Sequence, residues 1–287
     1  MKRLIAALAL LVASATPAFA TWSVIAVDMA TGRIVIASAT CVANNDRFLM
    51  GVQAVVVPGI GVAACQASVD GTHTNQMLVF EELKKGTDPK RIIELLSADP
   101  AFQSRQFGIV DLKGRTAGHS GLGNGYVTQD IQGMVPGTQI FYSIQGNILR
   151  PGEVVPNAVR AFINTKGAIT DRVMAALETA DRFGGDSRCT CPVLPVDSLP
   201  TIPCEGKTAQ IAYILMSERG DKAGEGALRT SDTTWAHNNG QYKMYITVTQ
   251  ANQQGPNIIK PGENENPVKT LRMRYDAWRK LQPASFK

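Results

Sequence analysis

Beyond its first twenty residues, this sequence has no apolar run approaching the ~18 residues of a membrane-crossing helix. It has no Lys/Arg stripe with interleaved aromatics; its basic residues are scattered, so nucleic acid is not an expected partner. It has no G-x-G-x-x-G phosphate loop. Gly121-Leu122-Gly123-Asn124-Gly125 is glycine-rich, but no helical pattern follows it. Ser120 and Ser143 lack the G-x-S-x-G elbow of a hydrolase nucleophile. There is no internal repeat and no clear linker. Composition argues against disorder, with 44% hydrophobic and only 18% charged residues.

What is there begins at the start. Met1-Lys2-Arg3 is basic, residues 4–15 are apolar, Thr16 and Pro17 break the run, and Ala18-Phe19-Ala20 is a small-x-small cleavage site. These features define a signal peptide over residues 1–20, with the cut expected after Ala20. The product is expected to be periplasmic or extracellular, soluble and without a membrane anchor, with 267 of the 287 residues left. Losing Lys2 and Arg3 lowers the formal charge from +5 to +3. Thr21 would then be the first residue, ahead of the strand-like Trp22-Ser23-Val24-Ile25-Ala26-Val27-Asp28. A threonine at a free N-terminus carries its own base. Its hydroxyl is a weak nucleophile, but the neighbouring α-amine titrates at about 7.7–8.0 and can take the hydroxyl proton. The plainer reading is that some residue follows every cut, and threonine is common in strands.

There are five cysteines: Cys41, Cys65, Cys189, Cys191 and Cys204. Export makes disulfides the default, and the odd number leaves at least one thiol free or paired with another chain. Residues 189–204 are proline-rich with no helical or strand period, and a bridge from Cys204 to Cys189 or Cys191 is expected to staple them. Cys41 and Cys65 each end a strand pattern and would pair or be buried. Zinc on the three loop cysteines is the competing reading, but C-x-C is unlike the usual pair and a fourth ligand is not obvious. No cofactor and no metal are expected.

Period-2 runs predict strands at 22–27, 34–40, 51–57, 60–65, 106–111, 115–119 and 139–144, with hairpin signals between them. Helical spacing appears at 72–85 and after Asp88-Pro89, at 151–164, at 170–183 and at 267–281. Two more strands are expected at 208–217 and 242–249. Residues 187–206 and 250–266 read as loop insertions in a single domain over 21–287. Hairpins, two helices, hairpins, two helices, then strand is an α+β order, which a four-layer αββα sandwich of mostly antiparallel sheets satisfies. Because Trp22, Val24 and Ala26 alternate with Ser23, Ile25 and Val27, both faces of the first strand are apolar. It should lie at a sheet centre, covered on both sides.

Particular residues now carry a resemblance. Thr21-Trp22-Ser23-Val24-Ile25-Ala26-Val27-Asp28 with Thr31-Gly32, Gly59-Ile60-Gly61-Val62-Ala63-Ala64 with Gln66-Ala67, Phe107-Gly108-Ile109-Val110-Asp111 with Gly114-Arg115, Ser143-Ile144-Gln145-Gly146-Asn147-Ile148-Leu149 and Gly184-Gly185-Asp186 resemble the bacterial domain of unknown function 1028 family. That family is grouped with the N-terminal-nucleophile (Ntn) hydrolases. The likeness runs from Thr21 to about Ser217 and loosely to the end, with Asn266-Pro267-Val268 as a weak further match. It implies an αββα, Ntn-hydrolase-like fold and a hydrolase acting through its N-terminal residue; it supplies no substrate, and the expected partner is a small-molecule or peptide-like substrate. There are departures. Many relatives have Ser followed by Lys or Arg where this chain has Thr40-Cys41, and the cysteine loop intervenes before Thr208-Ala209-Gln210.

Acyl transfer needs a nucleophile, a base, an oxyanion stabiliser and groups that hold them. Thr21 supplies the first two. Asn147 is the candidate oxyanion donor, against the plainer reading of a turn residue. Asp186 is the candidate for holding the α-ammonium, against a turn or cap. Ser38, on the neighbouring strand, is a candidate partner of the amine, against a core hydroxyl satisfied by backbone. His73, Gln145 and Gln66 are the candidate substrate-binding residues. His119, at a strand end, is a weaker candidate. The expected activity is hydrolysis of an amide or ester bond. The alternative is a secreted binding or structural protein that keeps the fold without catalysis. A homo-oligomer is left open.

Overall fold

The computed structural model describes residues 21–45, 47–68, 70–125, 127–189, 207–222, 241–250, 252–253 and 255–286. The chain opens with Thr21–Asp28 (β1), Arg33–Thr40 (β2), Phe48–Gln53 (α1), Ala54–Val57 (β3) and Gly61–Ala67 (β4). Thr74–Lys85 (α2), Pro89–Leu96 (α3), a 3-10 turn at Phe102–Ser104, Arg105–Asp111 (β5), Thr116–Ser120 (β6), Gln129–Met134 (β7) and Ile140–Asn147 (β8) follow. Val154–Asn164 (α4), Ile169–Arg182 (α5), Ile211–Ser217 (β9), Met244–Thr249 (β10) and Pro267–Lys280 (α6) complete it. This is a mixed α+β architecture. The strands form one six-stranded sheet, β10-β9-β2-β1-β8-β7, and one four-stranded sheet, β3-β4-β5-β6, with every pairing antiparallel.

β1 sits between β2 and β8 and its residues 21–27 are buried, as its two apolar faces require. The alternation decides what each face meets. Trp22, Val24 and Ala26 pack with Phe162, Val173, Leu177 and Tyr275 from α4, α5 and α6. Ile25 and Val27 turn the other way and join Ile34 and Ile36 against Val56, Val62 and Val110 of the smaller sheet. Beyond that sheet, Val55, Ala63, Phe107 and Ile109 bury Val79, Leu83, Ile92 and Leu96 of α2 and α3. Each Val, Leu, Ile or Phe side chain among these, taken from water to full burial, contributes roughly 1.5–3 kcal/mol.

Helix ends follow the sequence signals. Asp88 caps α3 through Lys90 N with Pro89 at the first turn, and Asn266 caps α6 through Val268 N before Pro267. Gly86, at φ +76°, ends α2. α5 starts at Ile169, one residue before the expected start, with Ala168 as the cap; Asp171 reaches back to accept from Ala168 N at 2.9 Å. The polar loop before α6 is held by Arg274, which donates to the carbonyls of Asn257 and Ile258 and pairs with Glu263.

Three expectations change. The strand at 51–57 splits, because Phe48–Gln53 winds into a short helix that buries Leu49 and Met50 between the sheets, and only Ala54–Val57 is extended. Gln129–Met134, for which no strand was expected, sends one apolar side chain, Ile131, toward the core and is a strand at the sheet edge. Cys189 bonds Cys41 across 148 residues with Cα atoms 5.7 Å apart, so it is not the partner of Cys204, and a thiolate zinc ligand is lost from the loop. Cys65 is a buried free thiol. Cys191 and Cys204 lie outside the described residues, as does any bridge between them.

Candidate functional site

The register of three strands builds the site. In β1, Thr21 stands opposite Thr40 of β2 and Asn147 of β8. Period 2 then puts Thr21, Ser23, Thr40, Ser38, Asn147 and Gln145 on the face that looks at the smaller sheet. Thr21 N donates to Asn147 Oδ1 at 3.2 Å, and Thr21 Oγ1 donates to Thr40 Oγ1 at 3.4 Å. The remaining main-chain group, Thr21 O, accepts from Gln66 Nε2 at 3.1 Å. Thr21, Thr40, Gln53 and Gln66 line a narrow cavity with Val42, Phe48, Leu49 and Val52, with room for about one water molecule.

Behind Thr21 lies a buried polar network. Ser23 Oγ donates to Gln66 Oε1 at 2.5 Å, and Gln53 Nε2 reaches Ser23 Oγ, Ser38 Oγ at 3.1 Å and Gln66 Oε1 at 2.8 Å. Gln66 Nε2 also meets Gln106 Oε1 at 2.7 Å, and Gln106 Nε2 continues to Gly146 O and Ser120 Oγ. Such a chain is stable only because its members satisfy one another, and it fixes one arrangement of the two sheets. Left-handed backbone follows both gripping residues: Ala67 at φ +77° after Gln66, and Ile148 at φ +48° after Asn147. For a β-branched residue that conformation costs about 1–2 kcal/mol, and strain of this kind clusters at functional sites.

The sequence-derived candidates separate. Thr21 and Asn147 meet, although Asn147 presents its oxygen to Thr21 N and so grips the main-chain nitrogen. Asp186 is fully buried at the same end of the sheet. It accepts from Cys41 N at 2.7 Å and pairs with Arg188 at 2.6 Å, which ties it to the residue after Thr40. Burial pushes its carboxyl upward against the pull of Arg188. Ser38 donates to Trp22 O at 2.7 Å, a structural contact two residues inside the sheet. Gln145 spans the sheets to Ala64 O at 3.2 Å, and Gly108 leaves the space its carboxamide fills. Gln66 holds the main chain of Thr21. His73, at φ +58°, begins α2, and burial lowers its imidazole pKa more than Asp70 raises it. His119 stacks on Phe102 at 3.7 Å, away from Thr21 on the outer face of the smaller sheet. Thr40, Gln53 and Gln106 were missed as site residues. The signal available was Gln53, a lone glutamine inside the apolar run 48–57.

A protein of two facing antiparallel sheets, with a threonine at the start of the central strand and a glutamine network behind it, is the class these features define. The chain belongs to the family of unknown function DUF1028, whose model matches residues 21–192 and so starts at Thr21. Among solved structures it is similar to protein SPO2555 from Silicibacter pomeroyi, assigned to DUF1028, with a TM-score of 0.59 over 93% of this chain and 91% of that one. The two are 19% identical, so the likeness concerns the fold. No curated protein matches the chain.

Proposed function

We propose that this chain is an exported hydrolase of amide or ester bonds, with Thr21 as its nucleophile once residues 1–20 are removed. The reading takes the layers α4–α6, six-stranded sheet, four-stranded sheet and α2–α3 as the αββα sandwich of the Ntn hydrolases. One observation carries it. At the residue where the family match begins, the main-chain nitrogen and the hydroxyl converge on Asn147 and Thr40 beside a one-water cavity.

The chemistry follows from that arrangement. Cleavage after Ala20 turns a non-basic amide nitrogen into an α-amine, which Asn147 Oδ1 orients. The amine takes the proton of Thr21 Oγ1 as that oxygen bonds to the substrate carbonyl carbon. The carbonyl becomes an oxyanion, for which the amide end of Asn147 is the proposed donor. The amine then passes its proton to the leaving group as the scissile bond breaks. Water hydrolyses the resulting ester, releasing the acid and restoring Thr21. Gln66, on Thr21 O, keeps the residue from rotating through this cycle.

One observation favours a second reading, a non-catalytic exported binding protein. Cys41, where many relatives are expected to carry Lys or Arg, is locked in a disulfide, so that proton-handling group is absent. A panel of amide and ester substrates separates the two. The chain starting at Thr21 should turn over at least one of them, Thr21→Ser should keep part of that rate, and Thr21→Ala should lose it. A rate unchanged in Thr21→Ala removes the nucleophile, and no turnover by the wild type selects the binding reading.

A further inference from the structure

We propose that the closed, apolar end of the Thr21 cavity is the pocket for the acyl part of the substrate, so that the substrate carries a short, uncharged aliphatic acyl group. The proposal rests on the hydrolase reading and adds a substrate class to it. Of the two parts of an amide or ester, the acyl part stays bonded to Thr21 Oγ1 after the leaving group departs. The leaving group must escape and water must enter, so the group that remains is the one a closed pocket suits. Thr21 shares its cavity with Val42, Phe48, Leu49, Val52, Cys65 and Ala67. Val42 and Phe48 are half-buried, whereas Leu49, Val52, Cys65 and Ala67 are buried, so the cavity opens past the first two and ends on the other four. Phe48, Leu49 and Val52 all come from α1, the short helix between the sheets.

Charge and hydrogen bonding fix the chemistry of that end. Among the described residues, none that lines the cavity is charged. Its two amides are already committed. Gln66 Nε2 donates to Thr21 O and Gln106 Oε1, and Gln66 Oε1 accepts from Ser23 Oγ and Gln53 Nε2. Gln53 Nε2 is shared among Ser23, Ser38 and Gln66, and Gln53 Oε1 accepts from the Tyr213 hydroxyl. Burial pushes the Cys65 thiol far above its usual range, so it stays neutral. A carboxylate or ammonium on the acyl chain would enter this space without a partner, which burial penalises heavily. The room left is about that of one water molecule, close to a methyl group. Close-packed walls do not yield freely, so a longer chain collides with Leu49 and Val52. These two side chains set the length of acyl group that fits.

The test is hydrolysis of p-nitrophenyl acetate, butyrate and hexanoate, and of the p-nitrophenyl monoester of succinate, by the chain starting at Thr21, each rate corrected by that of Thr21→Ala. From acetate to hexanoate kcat/KM should fall about tenfold or more, since even one misfitting methylene in an apolar pocket is worth about that much. The succinate monoester, which carries a charge on its acyl chain, should be no better than hexanoate. Leu49→Ala and Val52→Ala should raise the hexanoate-to-acetate ratio about tenfold. Val52→Met, which fills the space instead, should lose acetate turnover. Thermal unfolding checks that each variant is folded, and the wild-type profile decides by itself where one is not. Equal or better turnover of hexanoate or the succinate monoester by the wild type would overturn the acyl pocket and leave Thr21 as nucleophile. So would an unchanged ratio in both folded alanine variants, or undiminished acetate turnover in a folded Val52→Met. Turnover of no ester above the Thr21→Ala rate would instead remove the hydrolase reading on which the pocket rests.

Discussion

Removing the Cys41–Cys189 crosslink should destabilise this fold more than any single core truncation. The bridge joins residues 148 apart in sequence. In the chain-entropy account, closing a loop of that length in the unfolded state is worth about 5 kcal/mol at 25 °C. For a chain of this size each kcal/mol moves Tm by about 2–4 °C, so Cys41→Ala/Cys189→Ala should melt about 10–20 °C lower. The local contacts push the same way, because Cys41 N donates to Asp186 and the turn that carries both Asp186 and Cys189 would lose its tether. Urea and thermal unfolding of the double variant and the wild type measure the difference. The double variant is preferable to a reductant, which would act on every disulfide at once. Cys65 is an internal control: burial raises its thiol far above the usual range, so it should resist alkylation in the native protein. A loss below about 1 kcal/mol would refute the reasoning. So would alkylation of Cys41 and Cys189 in the untreated wild type.

Two further outcomes are expected. Burial pushes the Asp181 carboxyl above its usual range against the hydrogen bonds from Asn266 and Thr208. The folded chain therefore holds that proton more tightly than the unfolded one, and the group's contribution is full below the unfolded value of about 3.9 and lost as pH rises through the raised folded value. Asp181→Asn should flatten the urea midpoint against pH in that window, and an unchanged slope would count against the assignment. Ile148→Asn should hold or raise stability by up to about 1 kcal/mol, since asparagine tolerates the left-handed region. A loss larger than that, read by urea unfolding, would show that the Ile148 side chain outweighs its strain.

Most of the architecture was legible because alternation and caps are local signals. The two-faced apolar pattern of residues 22–27 placed β1 inside a sheet, and Asp88-Pro89 and Asn266-Pro267 marked helix starts. Residues 48–53 were not legible, since a short apolar run reads equally as strand or buried helix until its neighbours are known. β7 was missed because an edge strand needs no apolar face. The partner of Cys189 depends on two segments far apart in sequence meeting in space, which spacing within the loop cannot report. At the site, Thr21 and Asn147 were reached through motif order. The glutamine network was invisible because Gln53, Gln66 and Gln106 come from three elements that meet only when the sheets face each other. Ser38 and Gln145 share the correct face but sit two residues too deep.

The central claim is that export creates the nucleophile, and one measurement tests it directly. The exported protein would be treated with an acylating active-ester probe and mapped by mass spectrometry of its N-terminal peptide. The account predicts a chain starting at Thr21, with a single acyl group on the Thr21 side chain and none in Thr21→Ala. A mature chain starting at any other residue, or the acyl group on another side chain with Thr21 unmodified, would contradict it.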